Sequence, residues 1–357
     1  MRKGFAFSFL LPAFVLMLFF QNCSGVKFDE SQAAREPQGG VIVDGGPTGP
    51  PGSPDQIFKS YEPSLVVRGG SCTVCHAEIR SNVITDFGWG PLGSSEDFIA
   101  ADGYGENWDM DLLTGNVIIP ADADVRAGGF YNSEIVEVDT LFIGAPTAAD
   151  IRSAGGLTAA KKLSVTGSAT GLQQSSTGLV QNTAELVCEG DVAVDGIVQL
   201  KDLRVRTTNG CRIYATETVF VNGPITYVGG SPNANLQIVS ARGILLGFSK
   251  RTLEERLQRL GRARTRSGDL KQVLIADAGQ LSGLVDADDS TYRSLTFNRL
   301  LLNAPVVQSR YSGLYEGSII AELLLMRVGE MRFKFDPVFS RVPLVPLTKL
   351  EKSFRAK

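Results

Sequence analysis

Two thiols and an imidazole lie close together near the start of the chain. Cys72, Cys75 and His76 form a Cys-x-x-Cys-His sequence, and His76 is the only histidine among the 357 residues. At this spacing both thiols can form thioether bonds to one haem while the adjacent imidazole binds its iron. Three other interpretations stay open: a local disulfide between Cys72 and Cys75, a zinc half-site that lacks its other ligands, and coincidence.

The same residues resemble the haem-attachment motif of c-type cytochromes. The resemblance implies a covalent haem c, with Cys72 and Cys75 as the thioether positions and His76 as the proximal iron ligand. The resemblance is limited to the motif itself and does not extend to the fold. In that family the motif opens a helix, whereas the β-branched residues that follow His76 indicate a strand.

A haem at this motif would need a sixth iron ligand other than histidine, because the chain has a single histidine. Met110 is the closest downstream methionine and the first candidate. Met326 and Met331 are rivals, although their surroundings are typical of core residues in late strands. The sixth ligand could also be a lysine or a small molecule, or the sixth position could be empty.

The first residues of the chain predict export. Arg2 and Lys3 precede an apolar stretch over residues 4–20, and polar residues follow this stretch without a basic flank. These features favour a cleaved signal peptide over a retained membrane span.

The end of the apolar stretch resembles a bacterial lipoprotein signal, in which a cysteine becomes the lipidated first residue of the mature protein. The resemblance implies a signal peptide over residues 1–23, lipidation of Cys23 and, from Ser24 at the next position, an outer-membrane location. Gln21 and Asn22 stand where that family has small residues. Ordinary cleavage after Gly25 is therefore the alternative.

The remainder of the chain divides by composition. Residues 24–60 are rich in proline and glycine and have no apolar periodicity, which predicts a flexible, disordered tether. Residues 61–347 form the predicted body, with the Cys-x-x-Cys-His segment at its start. Residues 348–357 are a short basic tail.

Alternating short runs predict the architecture of the body. Residues 185–248 contain runs of alternating apolar and polar residues that end at glycine, asparagine or aspartate, as half-buried strands do. Similar runs recur before and after this region; in the last, Met331 and Phe333 alternate with Arg332 and Lys334. Many short strands in a long chain predict a mainly β, single-stranded, β-helix-like β-solenoid.

Two cysteines within the body fit such a stack. Cys188 and Cys211 are 23 positions apart, close to one coil of roughly 20–30 residues. Stacked strands are about 4.8 Å apart, within the range of about 4.4–6.8 Å between the Cα atoms of a disulfide. The spacing therefore predicts a disulfide between adjacent coils, with two free, buried cysteines as the alternative.

One helix is predicted to interrupt the strands, at about residues 250–266. Leu253, Leu257 and Leu260 recur at helical spacing, and the stretch has seven basic and two acidic residues. A basic amphipathic helix can rest on an anionic envelope surface or a partner, and more often it is a solvated flap over the solenoid.

Net charge and the spacing of acidic residues disfavour two classes of function. A net charge of −3 gives no electrostatic support to nucleic-acid binding. No spacing of acidic residues singles out a general acid–base pair, so an enzyme is the less favoured interpretation. We expect a membrane-anchored, extracytoplasmic scaffold or binding protein of a bacterial envelope, with an envelope protein or polysaccharide as partner. The alternatives are electron transfer through one haem c and, more remotely, a carbohydrate-active β-helix enzyme.

Overall fold

Parallel strands stacked in register build the described part of the chain. The computed structural model describes residues 53–85, 108–120, 130–131, 134–138, 143–159, 161–247 and 294–349. The fold is mainly β, a parallel β-solenoid of about 8 turns, which confirms the predicted fold class. Cys23, the signal peptide and the predicted helix at about 250–266 lie outside the described residues.

Three short helices accompany the strands in these ranges. They are α1 (Pro54–Tyr61), α2 (Ala148–Ala154) and α3 (Val338–Arg341). Helix α1 begins within the segment predicted as tether, because Ser53 and Gln56 form a capping box and Pro54 occupies the first turn.

Nineteen strands are present in the described residues. The first seven are β1 (Pro63–Arg80), β2 (Asn82–Ile84), β3 (Trp108–Thr114), β4 (Asn116–Pro120), β5 (Phe130–Tyr131), β6 (Glu134–Val138) and β7 (Ile143–Gly144). The next seven are β8 (Leu163–Thr170), β9 (Leu172–Ser175), β10 (Gly178–Gln181), β11 (Glu185–Val194), β12 (Ile197–Arg206), β13 (Cys211–Ala215) and β14 (Val219–Val228). The last five are β15 (Leu236–Ser240), β16 (Ile244–Leu246), β17 (Ser294–Ser309), β18 (Ser312–Lys334) and β19 (Thr348–Lys349).

The order of coils along the stack differs from their order along the chain. From β11, parallel pairing continues through β13, β15, β17 and β18, and then passes to β1 and β3. The last long strand therefore pairs with the first, with Leu65 opposite Ile319. The serine hydroxyl of Ser318 donates a hydrogen bond to the Pro63 carbonyl across this seam, at 2.8 Å.

The interior of the coils is filled by one inward-facing apolar residue after another. In one row, these are Val192, Ile213, Ile238, Leu302 and Ile319, and all are buried. Aromatic rings fill the later coils: the ring centroids of Phe297 and Tyr315 are 6.1 Å apart, and those of Tyr315 and Phe333 are 6.2 Å apart. These contacts remove a large apolar area from water, which is the main favourable term in folding.

A second apolar layer lies outside the coils, on one face. Its rows on the sheet include Ala193, Tyr214, Val239, Ile320 and Val66. Side chains from the three helices and from the segment after β18 cover it: Phe58, Ile151, Phe335, Val338 and Phe339. Because this face is covered, most outward-facing positions along it are apolar, and Asn303 and Gln237 are buried polar exceptions.

Two chain segments pack on this covered face: helix α2 and the segment that follows α3. Helix α2 lies against β13 and β15, and Gly155 at its end sits so close to the sheet that a Cβ there would lie 2.3 Å from the Ala193 Cβ. The Gln237 amide donates a hydrogen bond to the Pro343 carbonyl at 2.9 Å and accepts one from the Val345 amide at 2.7 Å. Both segments thus form part of the buried layer.

The alternation predicted for the last strand is confirmed. Met331 and Phe333 in β18 are buried in the interior, whereas Arg332 and Lys334 are partly exposed or exposed. Thr348 and Lys349, the first described residues of the predicted basic tail, form β19, which pairs with β7.

Candidate functional site

The Cys-x-x-Cys-His motif lies within β1, between β18 and β3. Its backbone register places Cys72 opposite Met326, Cys75 opposite Gly329 and Trp108, and His76 opposite Glu330 and Asp109. The strand predicted after His76 is confirmed, since β1 continues to Arg80. Cys75 and His76 therefore have strand partners on both sides, whereas Cys72 pairs with β18 alone among the described strands.

This backbone does not fit the cytochrome arrangement, in which the motif opens a helix. Met110 pairs with Ala77 and not with His76, and Met331 pairs with Ala77 from the other side. Met326 and Met331 are buried in the interior core, which confirms their interpretation as core residues. Haem attachment, with Met110 as a ligand, stays a prediction, and no step of the function proposed below passes through it.

Charged residues near the motif are held in ion pairs. Arg332 lies 3.4 Å from the Glu78 carboxylate and 2.8 Å from that of Glu330, and Arg80 lies 3.8 Å from Glu78. Exposed pairs of this kind contribute little to stability. Among the side chains that the structure describes, no group of three or more His, Cys, Asp or Glu residues could hold a metal ion.

The predicted disulfide between Cys188 and Cys211 is confirmed. Its Cα atoms are 5.4 Å apart, and both residues are completely buried in the interior. The backbone register places Gly190, not Cys188, opposite Cys211, so the bond runs obliquely between β11 and β13. It therefore ties one coil to the next inside the core.

Polar side chains add further links between these coils. The Asp195 carboxylate accepts hydrogen bonds from the Thr216 hydroxyl at 2.7 Å and from the Arg152 guanidinium at 2.9 Å. The Thr216 hydrogen bond and then Arg152 lower the pKa of Asp195, although partial burial opposes them. Glu185 is bound by Arg206 at 2.6 Å, which lowers the pKa of this carboxyl as well. Such acids are ionised acceptors, whereas a general acid requires a raised pKa.

One end of the stack carries a feature that the sequence interpretation missed. Strand β8 runs antiparallel to β11, with Val165 opposite Val192 and Thr170 opposite Val187. Its central residues are exposed, and 43% of the Val165 surface is accessible. The signal in the sequence was the absence of any charged residue over residues 163–184.

No helix of the described residues is long and apolar enough to cross a membrane.

Comparisons with known proteins find weak structural similarities and no family. No family model and no curated protein matches the chain. An ice-binding protein from the Antarctic ascomycete Antarctomyces psychrotrophicus aligns over 76% of this chain and 94% of its own, with 9% identity and a TM-score of 0.32. The competence-associated pilin ComZ from Thermus thermophilus aligns over 81% of this chain and 73% of its own, with 8% identity and a TM-score of 0.33. Similarity at this level carries no argument about function.

Proposed function

We propose that the chain is a lipid-anchored, non-enzymatic scaffold or binding protein of a bacterial cell envelope, located at the outer membrane. The observation that carries the proposal is the buried disulfide between Cys188 and Cys211. Disulfides form and persist in oxidising compartments outside the cytoplasm and are rare within it. This chemistry agrees with the export signal and with Cys23 as the lipidated residue.

A solenoid suits a scaffold because its outward-facing strands present long rows of side chains. Away from the covered face, exposed positions on β12 and β14 include Lys201 and Thr226, together with Arg204 and Arg206, which are paired with Glu185. Basic and hydroxyl groups at regular strand spacing can bind an anionic or hydroxyl-rich partner. An envelope protein or a polysaccharide has this chemistry.

Anchoring is tested by metabolic labelling with palmitate and by cell fractionation. We expect the wild-type chain to carry label and to sediment with outer membranes, and Cys23→Ala to lose the label and become soluble in the periplasm. Cys72→Ala is the matched control, since it removes a different cysteine and leaves the signal intact. An unlabelled wild-type chain, or one found in the cytoplasm, contradicts the proposal.

Binding is tested separately, on glycan arrays and with purified envelope fractions. Retention of a polysaccharide or a protein without chemical turnover supports the scaffold. Release of oligosaccharide would instead favour the carbohydrate-active enzyme.

A further inference from the structure

The strand at one end of the stack has an open edge. Strand β8 spans 8 residues and pairs with β11 along one side. No other described strand pairs with it, so alternate backbone amides and carbonyls along its second side are directed away from the stack. Such an edge is a template for a further strand.

This edge lacks the usual protection against pairing. Soluble proteins place charges, prolines or bulges on edge strands. Residues 163–184 contain no charged residue and no proline, and the exposed positions of β8 include Val165, Thr166 and Ser168. At the other end of the stack, β6 pairs only with β4 among the described strands and carries Glu134 and Glu137. The two ends therefore differ in chemistry.

We propose that β8 is a self-association surface, on which a second copy of this chain adds its own β8 in antiparallel orientation. Antiparallel pairing of two identical strands creates a two-fold axis, so each copy satisfies the open backbone groups of the other. Uncharged residues meet uncharged residues across this axis, and no charge loses its hydration. Head-to-tail stacking on β6 would instead bring Glu134 and Glu137 against residues 163–170, none of which is basic; the nearest basic residues, Lys161 and Lys162, precede the strand.

The contact between two β8 strands is small, which limits the strength of the association. Stable dimers bury about 800 Å² on each partner, more than a single strand of 8 residues supplies. The association is therefore reversible and concentration-dependent. It does not depend on the membrane anchor proposed above, because the edge lies in the folded body.

The first test is the mass of the full chain in solution. Sedimentation equilibrium at high micromolar concentration is expected to show a dimer for the wild type and loss of that dimer for Thr166→Lys, since two like charges meet near the axis. Thr296→Lys is the matched control, an exposed strand threonine three coils away, and is expected to dimerise as the wild type does. Circular dichroism identifies any variant that fails to fold.

The second test distinguishes the geometry. Under mild oxidation, Thr166→Cys is expected to form a disulfide-linked dimer, whereas the wild type and Thr296→Cys are not. A monomeric wild type, or a dimer insensitive to Thr166→Lys, overturns the proposal. So does cross-linking of Thr166→Cys to Glu134→Cys without cross-linking of Thr166→Cys to itself, because that result would show head-to-tail stacking.

Discussion

At the scale of single residues, Asp195 joins parts of the chain that are distant in sequence. Its carboxylate follows β11, Thr216 follows β13, and Arg152 belongs to α2, 43 positions earlier. The three groups meet where the helix lies on the sheet. Since the lowered pKa keeps this carboxyl ionised, its hydrogen bonds persist at neutral pH.

Replacing Thr216 by valine is expected to raise the pKa of Asp195, because the hydroxyl is its largest favourable contact. A group whose pKa is lowered on folding stabilises the protein above its unfolded pKa, and that stabilisation is lost as the pH falls through the folded pKa. We therefore expect Thr216→Val to reduce the free energy of unfolding by about 1 kcal/mol at pH near 7 and by less in acid. Denaturant titrations at both pH values measure this difference.

Thr226→Val is the control for this substitution, since Thr226 is exposed on β14. An effect of Thr216→Val that is equal at neutral and acid pH would contradict the role of Asp195.

The haem prediction also belongs to the residue scale. It is tested by a pyridine haemochrome spectrum of the chain produced with the cytochrome c maturation machinery. A c-type spectrum that is lost in the double variant Cys72→Ala, Cys75→Ala supports covalent haem. A chain without that spectrum contradicts it and leaves the motif as a structural strand.

At the scale of elements, the disulfide links β11 to β13 inside the core, near the end of the stack that carries β8. Removing it with Cys188→Ala and Cys211→Ala is expected to lower the free energy of unfolding by about 3 kcal/mol, because a loop of 23 residues is no longer closed in the unfolded chain. Thermal unfolding measures the loss.

Reduction of the wild type with a thiol reagent should reproduce the shift seen in the double variant, and the same reagent should not affect the variant. A variant as stable as the wild type would show that strand pairing alone holds these coils together.

The sequence predicted strands well where one side faces water. Met331 and Phe333 alternate with charged residues, and the structure follows that alternation. On the covered face the alternation is weak, because many outward-facing residues are apolar as well, as at Ala193 and Val239. The spacing of Cys188 and Cys211 matched the length of one coil. No local sequence pattern predicts that Leu65 pairs with Ile319. That register depends on contacts between the two extremes of the body.

At the scale of the molecule, the stack can be followed from β8 to β18 and then from β1 to β6. We expect a circular permutant that begins at Lys161 and ends at Ala160, with Lys349 joined to Ser53 by a flexible linker, to form the same coils. Its contacts are closer in sequence, so it should fold faster. Stopped-flow fluorescence and formation of the Cys188–Cys211 disulfide measure the outcome.

A permutant that collapses without forming this disulfide would show that the natural order of coils is required. The neighbouring positions of α1 and α3 make the junction feasible, since the rings of Phe58 and Phe335 are 5.9 Å apart and the Ser340 hydroxyl contacts Glu62.

The seam between β1 and β18 has a consequence for biogenesis. A polypeptide that emerges amino terminus first delivers Pro63 long before its partner Ser318, 255 positions later. At ordinary translation rates this interval is roughly 10–50 s. During that time β1 has no strand partner on the side where β18 will lie. When β18 is made, it must pair with β17 on one side and with β1 on the other. Chaperones that bind unpaired strands would therefore matter more for this protein than for a solenoid whose coils stack in the order of the chain.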